Sequence, residues 1–153
     1  MSSCDGKRLY FEALELHRAG MLDQAECLYD AALSADPSDA DALHMAAVLN
    51  AQRGRYSHAA MLLDKASSAL STNVQFLLNK ASVMRALGEL AEAADAYQTA
   101  TKINDKSFEA FFGLAETLFR SGQIKEAENA VRLAIELRDG HAESLALLGQ
   151  IYS

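Results

Sequence analysis

The sequence predicts an all-α array of one repeated two-helix element, and three observations carry that prediction. Small residues recur 34 positions apart: Ala13, Ala47, Ala81, Ala115 and Gly149 form one column. Ala25, Ala59, Ala93 and Ala127 form a second, and Ala32, Ala66, Ala100 and Ala134 a third. A column of glycines, Gly20, Gly54, Gly88 and Gly122, keeps the same period. Between the columns apolar residues recur at three- and four-residue steps, the signature of helices. β-branched residues are sparse, and Ala, Leu, Glu, Lys and Gln dominate, which disfavours strands. A fixed period of roughly 20–50 residues with no insertion marks a stacked array.

Residues 1–5 read as a short tail. The first repeat spans Gly6–Asp39, with Leu9 near the start of its first helix and Leu22 opening its second. The second repeat, Ala40–Asn73, is expected to hold helices over Ala40–Arg53 and Ser57–Leu70 around the breaker Gly54. The third, Val74–Ser107, is expected to hold Val74–Leu87 and Ala91–Ile103 around Gly88. Phe108–His141 follows, and Ala142–Ser153 supplies one more first helix. The columnar glycines sit where a helix must stop, because glycine tolerates the left-handed backbone found there. The alanine columns let helices approach; a larger side chain would overpack the contact at roughly 1–3 kcal/mol. Tyr29, Leu63, Tyr97 and Val131 form a bulky apolar column on the second helices.

This pattern resembles the tetratricopeptide repeat (TPR) family from Gly6 to the end. The clearest repeat places Ala13, Gly20, Ala25, Tyr29, Ala32 and Pro37 in register. The family tryptophan is absent, and the closing proline survives only as Pro37. Glu12, Lys80 and Asn50 stand in columns that are usually apolar. The resemblance implies a right-handed α-solenoid of helix–turn–helix TPR repeats, four full repeats plus one extra helix.

Composition narrows the function. The net charge of −7, with no local cluster of Lys or Arg, argues against nucleic acid and against a membrane surface. No apolar run approaches the roughly 18 residues a membrane span requires, and the first residues lack the layout of a secretion signal. Cytoplasm is the expected location. Cys4 and Cys27 match no metal or disulfide spacing. His17 and His44 lie on adjacent first helices, but Leu14, Arg18 and Val48 offer them no further ligands. His58 and His141 read as solvent-exposed. No catalytic set, phosphate-cradling loop, metal site or cofactor site can be assembled. The chain is therefore not expected to be an enzyme.

A stacked array offers an extended concave surface, which in the family is lined by first helices. By that resemblance the expected partner-binding residues are Lys7, Tyr10, Leu14, Arg18, His44, Val48, Leu78, Arg85, Phe112, Glu116, Phe119 and Arg120. Aromatic groups among arginines suit a peptide, helical or extended. Some family members clamp a C-terminal carboxylate with two basic residues and two asparagines. The matching positions here hold Tyr10, Leu14, Met45, Gln75 and Asn79, or one repeat further His44, Val48, Asn79, Glu109 and Gly113. Neither set supplies the charge, so that clamp is absent.

The last helix carries Leu145, Leu148, Ile151 and Tyr152 with few polar residues. A terminal element of a stacked array should have a polar outer face. The chain is thus expected to be a fragment of a longer protein or to form a homodimer through this helix. The leading expectation is a protein- or peptide-binding scaffold. The alternatives are a substrate-recruiting arm of a larger bacterial transferase, such as a glycosyltransferase, and a small secretion chaperone.

Overall fold

The computed structural model describes residues 3–153. Among the described residues there are nine α-helices and no strand. They are α1 (Ser3–Arg18), α2 (Leu22–Ala35), α3 (Ala40–Gln52), α4 (Tyr56–Ala66), α5 (Val74–Ala86), α6 (Leu90–Ile103), α7 (Phe108–Arg120), α8 (Ile124–Leu137) and α9 (Ala142–Tyr152). The helices divide into two compact units, one reaching to Ser71 and one from Thr72 to Ser153. α1 begins at Ser3, so Cys4 and Asp5 belong to a helix rather than to a tail. Met1 and Ser2 lie outside the described residues.

Each first helix is started and stopped by local chemistry. The residues before α3, α5, α7 and α9 are Asp39, Asn73, Ser107 and His141, again 34 apart. Each accepts a backbone N–H of the following turn with its side chain, satisfying donors that a helix start leaves open. At the other end the chain turns through Gly20, Gly54, Gly88 and Gly122, with φ between +74° and +84°. The bonding repeats as well. The Gly20 N–H donates to the His17 carbonyl at 3.0 Å and Met21 N–H to Leu16 at 2.9 Å. Gly122 and Gln123 do the same to Phe119 and Leu118 at 3.1 and 2.9 Å. This paired closure satisfies the last carbonyls of the helix.

In the N-terminal unit α1 packs on α2, α2 on α3 and α3 on α4. Ala13, Ala25, Ala32, Ala47 and Ala59 are buried at these crossings, around the fully buried Tyr29, Leu49 and Leu63. The packing is close enough that one added methylene would be felt. Arg53, at the end of α3, reaches α2: it pairs with Asp23 and with Glu26 at 3.0 Å, and Arg55 joins Glu26 at 2.6 Å. α4 stops at Ala66, four residues before the expected end. Ser67 and Ser68 follow, and the Ser67 hydroxyl donates to the Leu63 carbonyl at 3.1 Å, the local competition by which serine weakens helices. Asn50 sits where other repeats are apolar and is buried. Its amide donates to the Ala46 carbonyl at 2.8 Å, while its Oδ1 has no partner among the described residues.

In the C-terminal unit the helices pack in order from α5 to α9, and α7 also touches α5 and α9. Phe76, Ala81, Ala93, Ala100, Ala115, Val131 and Ala134 form the core. Gly113, in the middle of α7, faces the ring of Tyr97 on α6; a Cβ there would lie 2.4 Å from Tyr97 Cε1 and Cζ. Here the missing side chain is a packing requirement. The outer side of α9 is different: Leu145 and Tyr152 are exposed and Leu148 and Ile151 half-buried.

Candidate functional site

Each unit has a depression floored by its first helices. In the N-terminal unit it has a volume of about 510 Å³ and is lined by Tyr10, Leu14, His17 and Arg18 of α1 and Met45, Val48 and Gln52 of α3. These residues meet because helical spacing puts positions three and four apart on one face. His17 organises the floor. Its Nδ1 lies 3.1 Å from the Tyr29 hydroxyl and its Nε2 2.8 Å from Gln52 Oε1. A neutral ring that donates from Nε2 and accepts at Nδ1 satisfies both contacts. Burial pushes the Tyr29 phenol far above its ordinary value, so it remains a donor.

Lys7 and His44 stand outside this lining. The Lys7 ammonium pairs with Asp39 at 3.0 Å and Asp41 at 3.7 Å, and lies 5.6 Å from the Tyr10 ring centroid. The bond to Asp39, opposed by partial burial, holds its pKa above the usual lysine value. Asp39 also caps α3, accepting from Asp41 N–H at 3.1 Å and Ala42 N–H at 3.2 Å. Lys7 thus braces the start of α3. His44 is buried, and burial pushes its pKa down against a weaker opposing pull from Asp41.

The C-terminal unit holds a depression of about 550 Å³ lined by Gln75, Leu78, Asn79 and Arg85 of α5, Tyr97 of α6, and Phe108, Glu109, Phe112, Gly113 and Glu116 of α7. Arg85 pairs with Glu116 across α5 and α7 and lies 5.8 Å from the Tyr97 ring centroid. Gln75 donates to Asn79 Oδ1 at 3.3 Å. Phe112 stacks on Phe108 with centroids 5.7 Å apart and planes 6° from parallel. His141 closes the cluster edge-on, 4.7 Å from Phe108 and 5.2 Å from Phe112. The expectation that His141 is solvent-exposed is therefore corrected: it caps α9 and packs on two phenylalanines. Arg138 lies 3.9 Å over Phe108 and pairs with Glu109 at 3.3 Å.

Of the residues expected to bind a partner, Tyr10, Leu14, Arg18 and Val48 surround the first depression, and Leu78, Arg85, Phe112 and Glu116 the second. Phe119 is half-buried and does not line it, and Arg120 reaches the Arg85 carbonyl at 3.5 Å. Sequence reasoning left Tyr97 in the core column and attached no role to Gly113. Among the described residues no group of three or more His, Cys, Asp or Glu could hold a metal. No helix is long and apolar enough to cross a membrane. Cys4 and Cys27 are exposed free thiols.

Two-helix repeats closed by glycine, with a depression on the face of their first helices, define a helical-repeat protein of the protein-interaction class. Two tetratricopeptide repeat family models match the sequence, one over residues 12–73 and one over residues 84–151. The chain belongs to the tetratricopeptide repeat family. No curated protein matches it. Among solved structures it is similar to YrrB, a TPR protein described as having an unusual peptide-binding site: 26% identity over 94% of this chain and 74% of that chain, TM-score 0.87. It also shares the fold of the MamA protein, at 21% identity over 97% of this chain and 81% of that one, TM-score 0.89. MamA from Desulfovibrio magneticus RS-1 aligns at 17% identity over 90% and 78% of the two chains, TM-score 0.81.

Proposed function

We propose that this chain is a non-catalytic interaction scaffold that holds a peptide segment of a partner protein on the faces of its first helices. The observation that carries the reading is the C-terminal depression. Leu78 and Phe112 give it an apolar surface beside the Arg85–Glu116 pair and the carboxamide of Gln75. Apolar anchors framed by a few fixed polar groups are the composition of peptide-recognition sites. The likeness to YrrB, a TPR protein with a peptide-binding site, supports the same reading. Tyr10, Leu14, Arg18 and Val48 offer a second contact surface in the N-terminal unit. Phe119 and Arg120 extend the C-terminal one, whereas Lys7 serves the surface by bracing the start of α3 and His44 is buried within that helix.

The experiment is capture of partner proteins or arrayed peptides by the wild-type chain and by a Phe112→Ala, Arg120→Ala double variant. Loss of binding in the double variant is expected. Undiminished binding refutes the assignment of this face.

The exposed Leu145 and Tyr152 of α9 favour one further contact, self-association through its outer side. Tyr152 bonds Glu128 and Arg132 of α8 there.

A further inference from the structure

The two depressions occupy matching repeat positions with different polar chemistry. His17 corresponds to Arg85, Val48 to Glu116 and Tyr29 to Tyr97, each two repeats apart. In the N-terminal unit the phenol is used internally, since the Tyr29 hydroxyl bonds His17. In the C-terminal unit Arg85 pairs instead with Glu116 and lies over the Tyr97 ring. The Tyr97 hydroxyl is left with no hydrogen-bond partner among the described residues, although Tyr97 is only 4% exposed and lines the depression. It gets there through Gly113. Without a Cβ at that position the ring lies across α7, and its hydroxyl comes 2.9 Å from where that Cβ would be. Burial raises the phenol above its ordinary value, so it stays protonated. A donor that opens on a cavity without a protein acceptor is suited to a ligand acceptor.

The charge around it selects the acceptor. The carboxylates there are already paired, Glu116 with Arg85 and Glu109 with Arg138. An incoming carboxylate or phosphate would find Arg85 and Arg138 already engaged, whereas a carbonyl oxygen requires no cation. Gln75 beside it can both donate to and accept from a peptide backbone. We propose that the Tyr97 hydroxyl donates to a main-chain carbonyl of an extended, uncharged peptide segment whose apolar side chain rests on Leu78 and Phe112. This rests on the peptide-binding reading above and names the ligand class for it.

The test is an array of random-sequence peptides probed with the full chain as wild type, Tyr97→Phe and Phe112→Ala. Wild type is expected to retain peptides with an apolar residue flanked by uncharged residues. Tyr97→Phe should retain the same peptides about threefold to tenfold more weakly, the range of one net hydrogen bond, at an unchanged thermal midpoint. Scanning a retained peptide with amide-to-ester replacements should weaken wild type at one position and leave Tyr97→Phe indifferent there. Equal affinity of wild type and Tyr97→Phe, with Phe112→Ala weakened, overturns the hydroxyl's role and leaves the peptide-binding reading standing. A lowered midpoint in Tyr97→Phe also overturns it, since the hydroxyl then has a structural partner. Enrichment of acidic or basic peptides overturns the ligand class. If wild type retains no peptide, or Phe112→Ala retains them as well as wild type, the peptide-binding reading and this inference both fall.

Discussion

Replacing Gly113 with alanine puts a methyl carbon where Tyr97 already stands. The new Cβ would lie 2.4 Å from two ring carbons and 2.9 Å from the hydroxyl oxygen, where ordinary contact begins near 3.4 Å. The ring is buried, so it cannot swing into solvent, and α6 and α7 must separate by about 1 Å or Tyr97 must leave its rotamer. Overpacking of this kind costs roughly 1–3 kcal/mol. Alanine recovers roughly 0.5–1 kcal/mol of the helix propensity that glycine forfeits. The net expectation is a loss of about 1 kcal/mol, or roughly 2–4 °C in midpoint for a chain of this size. Gly149 is the internal control. It is also helical, and a Cβ there meets nothing within 4 Å. Gly149→Ala should therefore gain up to about 1 kcal/mol from propensity alone. Thermal melts followed by far-ultraviolet circular dichroism compare the two. Adding Tyr97→Leu to Gly113→Ala should restore much of the loss, a coupling that separate sites would not show. If Gly113→Ala stabilises the protein as Gly149→Ala does, the close approach of α6 and α7 is refuted.

Tyr29→Phe removes the partner of His17 Nδ1 and should cost about 1 kcal/mol; an unchanged thermal midpoint would mean that the bond contributes nothing. His44 makes stability acid-sensitive. Its folded-state pKa is lowered by burial from an ordinary value of 6.5, so the unfolded chain binds the proton more readily. That contribution is fully present above pH 6.5 and is lost as pH falls through it, with Asp41 opposing weakly. Urea melts at neutral and mildly acidic pH should show a smaller acid loss in His44→Gln than in wild type, and equal losses would remove His44 as the cause. Leu148→Glu combined with Tyr152→Glu should lower the sedimentation coefficient if α9 mediates dimers; the same oligomer in both proteins refutes that contact.

The helix pairs were legible because backbone requirements leave a residue-type signature. Only glycine is comfortable at φ near +80°, and only small residues fit the crossings, so both recur visibly. The capping column of Asp39, Asn73, Ser107 and His141 kept the same period and went unread, because its members are chemically diverse. Noticing that each precedes a helix start would have found it, and with it the packed position of His141. The site was less legible. Helical spacing brought Leu78, Arg85, Phe112 and Glu116 to one face, since that depends on one period. The reach of Tyr97 did not follow, because it depends on what is missing at residue 113 of the next helix. The pairing of Lys7 with Asp39 and the burial of His44 likewise depend on contacts between helices. The early end of α4 falls at Ser67, whose hydroxyl competes for the Leu63 carbonyl.

The glycine closures have a consequence for how such a chain changes length. Every reversal from first to second helix is bonded within its own six residues and borrows nothing from elsewhere. Recombination that duplicated or deleted a whole number of repeats would leave each surviving turn chemically intact. A lineage can thus lengthen or shorten this array in whole steps, then tailor one depression by point substitution while its counterpart keeps its old chemistry.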